Sequence, residues 1–310
     1  MTALICGSMA YDTVMTFEGR FRDHILPDKL HLLNVSFLVP AMRRNFGGCA
    51  GNIAYNLRLI GGDGLIMATV GHDFGPYGDW LDRWDLPRTH VRELPEEFTA
   101  QAYITTDLDN NQITAFHPGA MNQSHRNRVS DSRGAKLGIV APDGRTGMIE
   151  HAEQFAAAGV PFIFDPGQGL PMFGGEELRE FIERASWVAV NDYEASLLAE
   201  RTGWSLEQMA AKVRALIVTR GGAGSWIFAG GERHEIPVAP PARLADPTGC
   251  GDAYRAGLLF GLQRDFDWPT TGRVASLLGS IKIEHHGTQQ HRVAAGEFEQ
   301  RFKQVFGYAL

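Results

Sequence analysis

The chain has 310 residues, 44% of them hydrophobic and 21% charged, with a formal net charge of −7. This is ordinary globular composition, enough for one large domain or two, and the acidic balance argues against a general binder of nucleic acid or membrane surface while leaving room for a local basic pocket. Cys6, Cys49 and Cys250 are scattered and lack metal spacing, no basic residue precedes Arg20, and no apolar run nears the ~20 residues that span a bilayer, so a reduced cytoplasmic protein is expected rather than a disulfide scaffold.

Short apolar runs at Ala3–Cys6, Leu65–Val70, Leu137–Val140, Phe162–Phe164, Trp187–Val190 and Ala215–Thr219 predict strands. They lack polar alternation, as strands buried on both faces do. Between them, helical patterns lie near Gly51–Ile60, Gly75–Trp84, Thr146–Ala158, Glu176–Arg184, Asp192–Arg201 and Ser205–Arg214. That order predicts an α/β fold, a mostly parallel sheet with helices on both sides. Ligands of such sheets bind at the C-terminal ends of the strands.

Two segments break the rhythm. Thr13–Arg44 has little helical period, and Phe98–His117 reads as a hairpin, with Gln101–Thr106 and Gln112–His117 flanking the turn-rich Asp107–Asn111. Together, residues of about 13–44 and 98–120 predict a small β-sheet, either a lid over substrate or a dimer contact. No repeat, linker or low-complexity segment interrupts the chain, so a single α/β domain over 1–310 with a lid is expected.

The chemistry-bearing residues gather where strands give way to loops. Gly7-Ser8-Met9-Ala10-Tyr11-Asp12 follows the first strand and puts Asp12 at its C-terminal end, where a carboxylate can hold two vicinal hydroxyls; Asp is also a common turn former. In Phe46–Leu57, Gly48 belongs to a small-residue entry to a helix that lets a ligand near the backbone. Asn52 there carries a donor and an acceptor suited to sugar hydroxyls; tight packing of helix on strand is the competing reading. Asn191 and Glu194 open a helix, either to organise hydrated Mg²⁺ or as a capping pair. Thr219, Gly221 and Gly224 lie in a strand-to-glycine turn that fits a nucleotide contact or a plain hairpin. His285, His286 and His291 fit no strong zinc spacing.

Asp246-Pro247-Thr248-Gly249-Cys250-Gly251-Asp252 is the most informative stretch. Ala253–Leu262 after it reads as a helix, so two glycines sit at a helix N-terminus, where free N–H groups and the dipole attract an anion. A carboxylate at that mouth repels an anion unless it does chemistry, such as taking a proton from a hydroxyl that attacks a phosphate; a tight turn followed by an ordinary first-turn Asp is the competing reading. The chain has no Gly-Lys pair and no Gly-x-Gly-x-x-Gly, so it has neither a Walker A loop nor a Rossmann fingerprint.

Together these segments resemble the ribokinase-like (PfkB) family of sugar and nucleoside kinases. Asp246–Tyr254 looks like its C-terminal signature, Gly47–Asn52 like its N-terminal one, Asn191–Glu194 like its Asn-x-x-Glu motif, and Asp12 like its early sugar-binding Asp. The resemblance implies a three-layer α/β/α sandwich with a β lid and ATP-dependent phosphorylation of a primary hydroxyl. It implies Asp252 as catalytic base, the N–H groups of Gly249, Cys250 and Gly251 as anion hole, and Asn191 and Glu194 positioning Mg²⁺ and phosphates. Asp12, Gly48 and Asn52 would hold the sugar, and Asp246 and Thr248 match part of a monovalent-cation (K⁺) site. Gln112–Met121 looks like the nucleoside-kinase branch, adenosine kinases in particular. Phe116 would then stack on a purine or else pack within the lid, and Gln168 would read the base edge. Pro247, Cys250 and Arg255 depart from the commoner pattern, Arg255 reading as a counter-charge to phosphate or a solvated helix residue. A small-molecule nucleoside is therefore the expected substrate, as monomer or homodimer. A ribose- or fructose-type sugar kinase is the alternative, and a non-catalytic nucleotide or sugar sensor the rival from another class.

Overall fold

The first strand, β1 (Ala3–Cys6), shows how the main sheet is buried. Ala3 and Ile5 enter one core and Leu4 and Cys6 the other, because successive side chains point to opposite faces. The computed structural model describes residues 1–25 and 34–310.

The chain continues as β2 (Ala10–Thr16), α1 (Phe21–His24), β3 (Ala41–Gly47), α2 (Cys49–Leu59), β4 (Gly64–Gly71), α3 (Gly75–Arg83), β5 (His90–Leu94), β6 (Ala100–Thr106) and β7 (Gln112–His117). After two 3₁₀ turns come β8 (Leu137–Val140), α4 (Arg145–Ala157), β9 (Phe162–Phe164), α5 (Gly175–Arg184), β10 (Trp187–Asn191), α6 (Asp192–Thr202) and α7 (Leu206–Ala210). The C-terminal part is β11 (Ala215–Thr219), β12 (Ser225–Ala229), β13 (Glu232–Ile236), α8 (Cys250–Gln263), α9 (Trp268–Ile283) and α10 (Glu297–Phe306).

Nine strands form the main sheet in the order β13-β12-β11-β10-β9-β8-β1-β4-β5. All pairs are parallel except the β11–β12–β13 meander at one edge. Helices α2, α3, α8, α9 and α10 bury their apolar faces on one side, and α4, α5, α6 and α7 on the other. This is the mostly parallel sheet with helices on both sides that the strand runs predict, and the three-layer α/β/α sandwich that the family resemblance implies. Among the described residues no helix is long and apolar enough to cross a membrane.

The second sheet has the order β3-β2-β6-β7, with β2–β6 parallel and both outer pairs antiparallel. The predicted hairpin is β6–β7, within a residue of its predicted ends. The segment read as 13–44 needs correction. Its first strand starts earlier, at Ala10, so Asp12 lies inside β2 rather than at the end of β1. Residues 26–33 of that segment fall outside the described residues. The helix expected over Ser205–Arg214 is shorter, because the Arg214 N–H donates to the Ser186 carbonyl (2.8 Å) and draws the chain into β11.

Helices α8 and α9 cross at closest approach over Gly257. A Cβ there would lie 2.4 Å from the Ala275 Cα and 2.8 Å from its nitrogen. Gly257→Val must push the two helices apart, and overpacking of this kind costs roughly 1–3 kcal/mol. Denaturant unfolding of the variant is expected to show that loss; an unchanged midpoint would mean the helices are not in this contact.

Candidate active site

Helix α8 begins at Cys250 with Gly249 as its N-cap, at φ 80°. Only glycine holds this left-handed conformation without strain, and a Cβ would press on Thr288 at 3.1 Å. No side chain caps the helix. The Cys250 N–H turns back to the Pro247 carbonyl (3.2 Å), which takes it out of the predicted trio of anion-hole donors. Among the described residues the N–H groups of Gly249, Gly251 and Asp252 make no hydrogen bond, and they form the free end that the helix dipole makes anion-attracting.

This end opens into a cleft of about 820 Å³ between the main sheet's C-terminal edge and the second sheet, within the ~300–1,000 Å³ typical of small-molecule sites. Of the residues singled out above, the cleft brings together Asp12, Gly48, Asn52, Phe116, Gln168, Asn191, Glu194, Thr219, Thr248, Gly249, Gly251 and Asp252. Gly221 and Gly224 stay outside its walls. They shape the β11–β12 turn, where the Arg220 N–H donates to the Gly224 carbonyl (2.8 Å). Asp246 also lies outside the walls. Its carboxylate accepts from the N–H groups of Thr248 and Gly287, both 2.9 Å.

Asp252 is half-buried in the first turn of α8. Burial, with the nearby Asp165 charge, pushes its carboxyl up to about 7. The Asn52 amide, the Arg255 charge and the Cys49 thiol oppose that rise. Asn52 Nδ2 donates to Asp252 Oδ2 at 2.8 Å. The Asn52 carbonyl oxygen accepts from Gln289 Nε2 (2.9 Å), and Gln289 Oε1 accepts from Trp80 Nε1 (2.8 Å). Because Trp80 can only donate, this chain fixes which way each amide points. The Asn52 amide orients Asp252, and with one N–H given to that carboxylate its second N–H is left for a ligand in the cleft it lines.

Arg255 also lines the cleft and is not a solvated helix residue. It is buried, with Nη2 donating to Asp165 Oδ1 (3.0 Å) and to the Ala189 carbonyl (3.1 Å), and it lies 4.0 Å from Glu194. It supplies positive charge beneath a cleft floor rich in carboxylates. Among these, Asp12 is pushed up to about 6 by burial and by Asp246, and Asp143 to about 8 by burial. The reading of the sequence missed Asp143 and Asp165, although both follow the C-terminal ends of strands, β8 and β9.

Asn191 and Glu194 do form the capping pair of α6. The Asn191 N–H donates to Glu194 Oε2 (2.8 Å) and the Glu194 N–H to Asn191 Oδ1 (2.7 Å). Glu194 Oε1 has no hydrogen bond among the described residues, so the cap leaves one carboxylate oxygen for the cleft. His291 is buried and bonds Asn56 Oδ1 through Nε2 (2.7 Å); burial, then the Lys282 and His285 charges, push it down to about 3. Among the described residues no three His, Cys, Asp or Glu side chains could hold a metal by themselves.

The model of the pfkB family of carbohydrate kinases matches residues 9–294. The chain belongs to this family. It is a phosphotransferase acting on a hydroxyl group. A nucleoside kinase of Methanocaldococcus jannaschii is 31% identical over 259 residues, which is 83% of this chain and 85% of that protein. Among solved structures, the nucleoside kinase of Burkholderia thailandensis in complex with inosine superposes with a TM-score of 0.90 at 56% identity, covering 99% of both chains. Its complex with ADP-inosine gives 0.88 at 58% identity, covering 99% of this chain and 97% of that one. The Asn52–Gln289–Trp80 relay is read from this chain's own geometry.

A carboxylate base works only when ionised. With Asp252 as that base, turnover of this chain is expected to fall as pH drops through about 7, the value to which its carboxyl is raised. Asn52→Ala removes an opposing hydrogen bond and should move that acid limb to higher pH. A pH–rate profile of kcat checks both; an acid limb below pH ~5, in the ordinary carboxylate range, would contradict the assignment.

Proposed function

We propose that this enzyme transfers the γ-phosphoryl group of ATP to the 5′-hydroxyl of a purine nucleoside. One observation carries the reading: near-complete structural overlap, at more than half identity, with a nucleoside kinase seen with inosine and with ADP-inosine. The cleft supplies groups suited to each part of that reaction.

In this reading Asp252 accepts the proton of the attacking hydroxyl, which lies between it and the γ-phosphate. The N–H groups of Gly249, Gly251 and Asp252 face the charge that develops on the transferred group. The transition state is loose, so positioning and charge stabilisation do most of the work. Asp12 holds the ribose hydroxyls, beside the close backbone approach at Gly48. Phe116, half exposed on β7, offers its ring to a purine face, and Gln168 its amide to the base edge. Thr219 and the β11–β12 turn border the nucleotide. The second sheet closes over the cleft as a lid and keeps water from acting as acceptor. We further propose that residues 1–310 act as one kinase domain. The unpaired Cys6, Cys49 and Cys250 suit a reducing, cytoplasmic setting.

Mg²⁺ belongs to the same proposal. Mg²⁺ keeps several waters and takes only one or two carboxylates along with substrate phosphates. The free oxygen of Glu194, with Asn191 beside it, fits that demand. Bound there, the ion would neutralise charge on the phosphates.

Asp252→Asn is expected to lower kcat by about 10²–10⁴-fold while leaving ATP binding largely intact. Steady-state assay together with calorimetric titration of nucleotide checks this, and near-normal turnover would refute the role. A panel of nucleosides and free sugars, read by ADP release, is expected to favour purine nucleosides. Preference for ribose or fructose would favour a sugar kinase, and binding without ADP release a sensor.

A further inference from the structure

Lys282, in the last turn of α9, is completely buried. Lysine is almost never fully buried unless paired, because desolvating an ammonium is costly. Its Nζ donates to two main-chain carbonyls, those of Asp246 (2.8 Å) and His285 (3.0 Å). The first opens the Asp246–Gly249 loop that leads into the anion-attracting end of α8. The second belongs to the segment whose Gly287 N–H holds the Asp246 carboxylate. The Ala245 and Asp246 N–H groups both donate to the Ile283 carbonyl (2.8 and 3.1 Å). The ammonium thus ties the loop to the C-terminus of α9 from below.

The family resemblance assigns a monovalent cation to Asp246 and Thr248. At Asp246 such an ion meets oxygens that are already engaged. Both carboxylate oxygens of Asp246 already accept main-chain N–H groups, and its carbonyl is taken by Lys282. An ammonium carries the same charge as K⁺ and binds carbonyl oxygens through three rotatable donors.

We propose that Lys282 is a tethered monovalent cation that holds the anion-hole loop in place and supplies its positive charge, so that catalysis does not depend on K⁺. Lys282 is a positioning residue; it acts through Asp246 and the loop rather than on substrate. The inference rests on the phosphoryl-transfer reading above.

The decisive test needs no variant. ADP release with a nucleoside substrate is measured for the wild-type chain in buffers whose cation is K⁺, Na⁺ or bulky tetramethylammonium. Equal rates in all three are expected. Turnover that appears only with K⁺ overturns the inference, while no turnover in any buffer overturns the phosphoryl-transfer reading instead. Lys282→Ala adds a second arm: kcat should fall by at least about tenfold, as when an electrostatic contact to the reacting group is lost, with nucleoside KM little changed. K⁺ or methylammonium should restore much of the loss. A folded variant with wild-type kcat, or one equally slow with and without added cation, contradicts the assignment. If the variant does not fold, the wild-type cation series stands as the test.

Discussion

The whole site turns on keeping a carboxylate in front of a helix end that attracts anions. Asp252 and an incoming phosphate carry like charge. The structure lessens the conflict in two ways. Burial raises the Asp252 carboxyl to about 7, so the group is poised between its two protonation states near neutrality. Arg255, three residues on along the same helix face, holds positive charge behind it. A buried ion pair such as Arg255–Asp165 adds little to net stability, and breaking it leaves an uncompensated charge. Its value here lies in setting the potential at the cleft floor.

Elements far apart in sequence carry that arrangement. Asp252 is on α8, the amide that orients it on α2, and the residue that fixes that amide lies beyond α9. Lys282 anchors the loop before α8 from the end of α9. The α8–α9 contact at Gly257 is therefore more than packing: it sets where loop and ammonium meet. The two apolar cores hold the central strands, and their C-terminal ends deliver Asp143, Asp165, Asn191 and Thr219 to one rim.

Much of this was legible in the residues. The central strands are continuous apolar runs, and six of them end within a residue of their predicted limits. The Asp246–Asp252 stretch announced the helix end and put Asp252 in its first turn. The second sheet was harder to read. In β3, Met42, Arg43 and Arg44 are all exposed, so no alternation marks the strand. Asp12 looked like a loop residue because β2 starts only four residues after β1 ends. The partners of Asn52 were out of reach, since Gln289 lies 237 positions away and only the fold brings them together. The same holds for Lys282, which in sequence is an unremarkable charge in a helix last turn.

The claim that burial tunes Asp252 into a base at neutral pH can be read directly. Carbon-detected NMR of enzyme labelled at Asp side-chain carboxyls, compared with the Asp252→Asn spectrum, identifies its resonance. The account predicts a titration midpoint close to 7 for that signal. A midpoint near 4, where an ordinary Asp titrates, would show that the cleft does not perturb the group and would contradict the account.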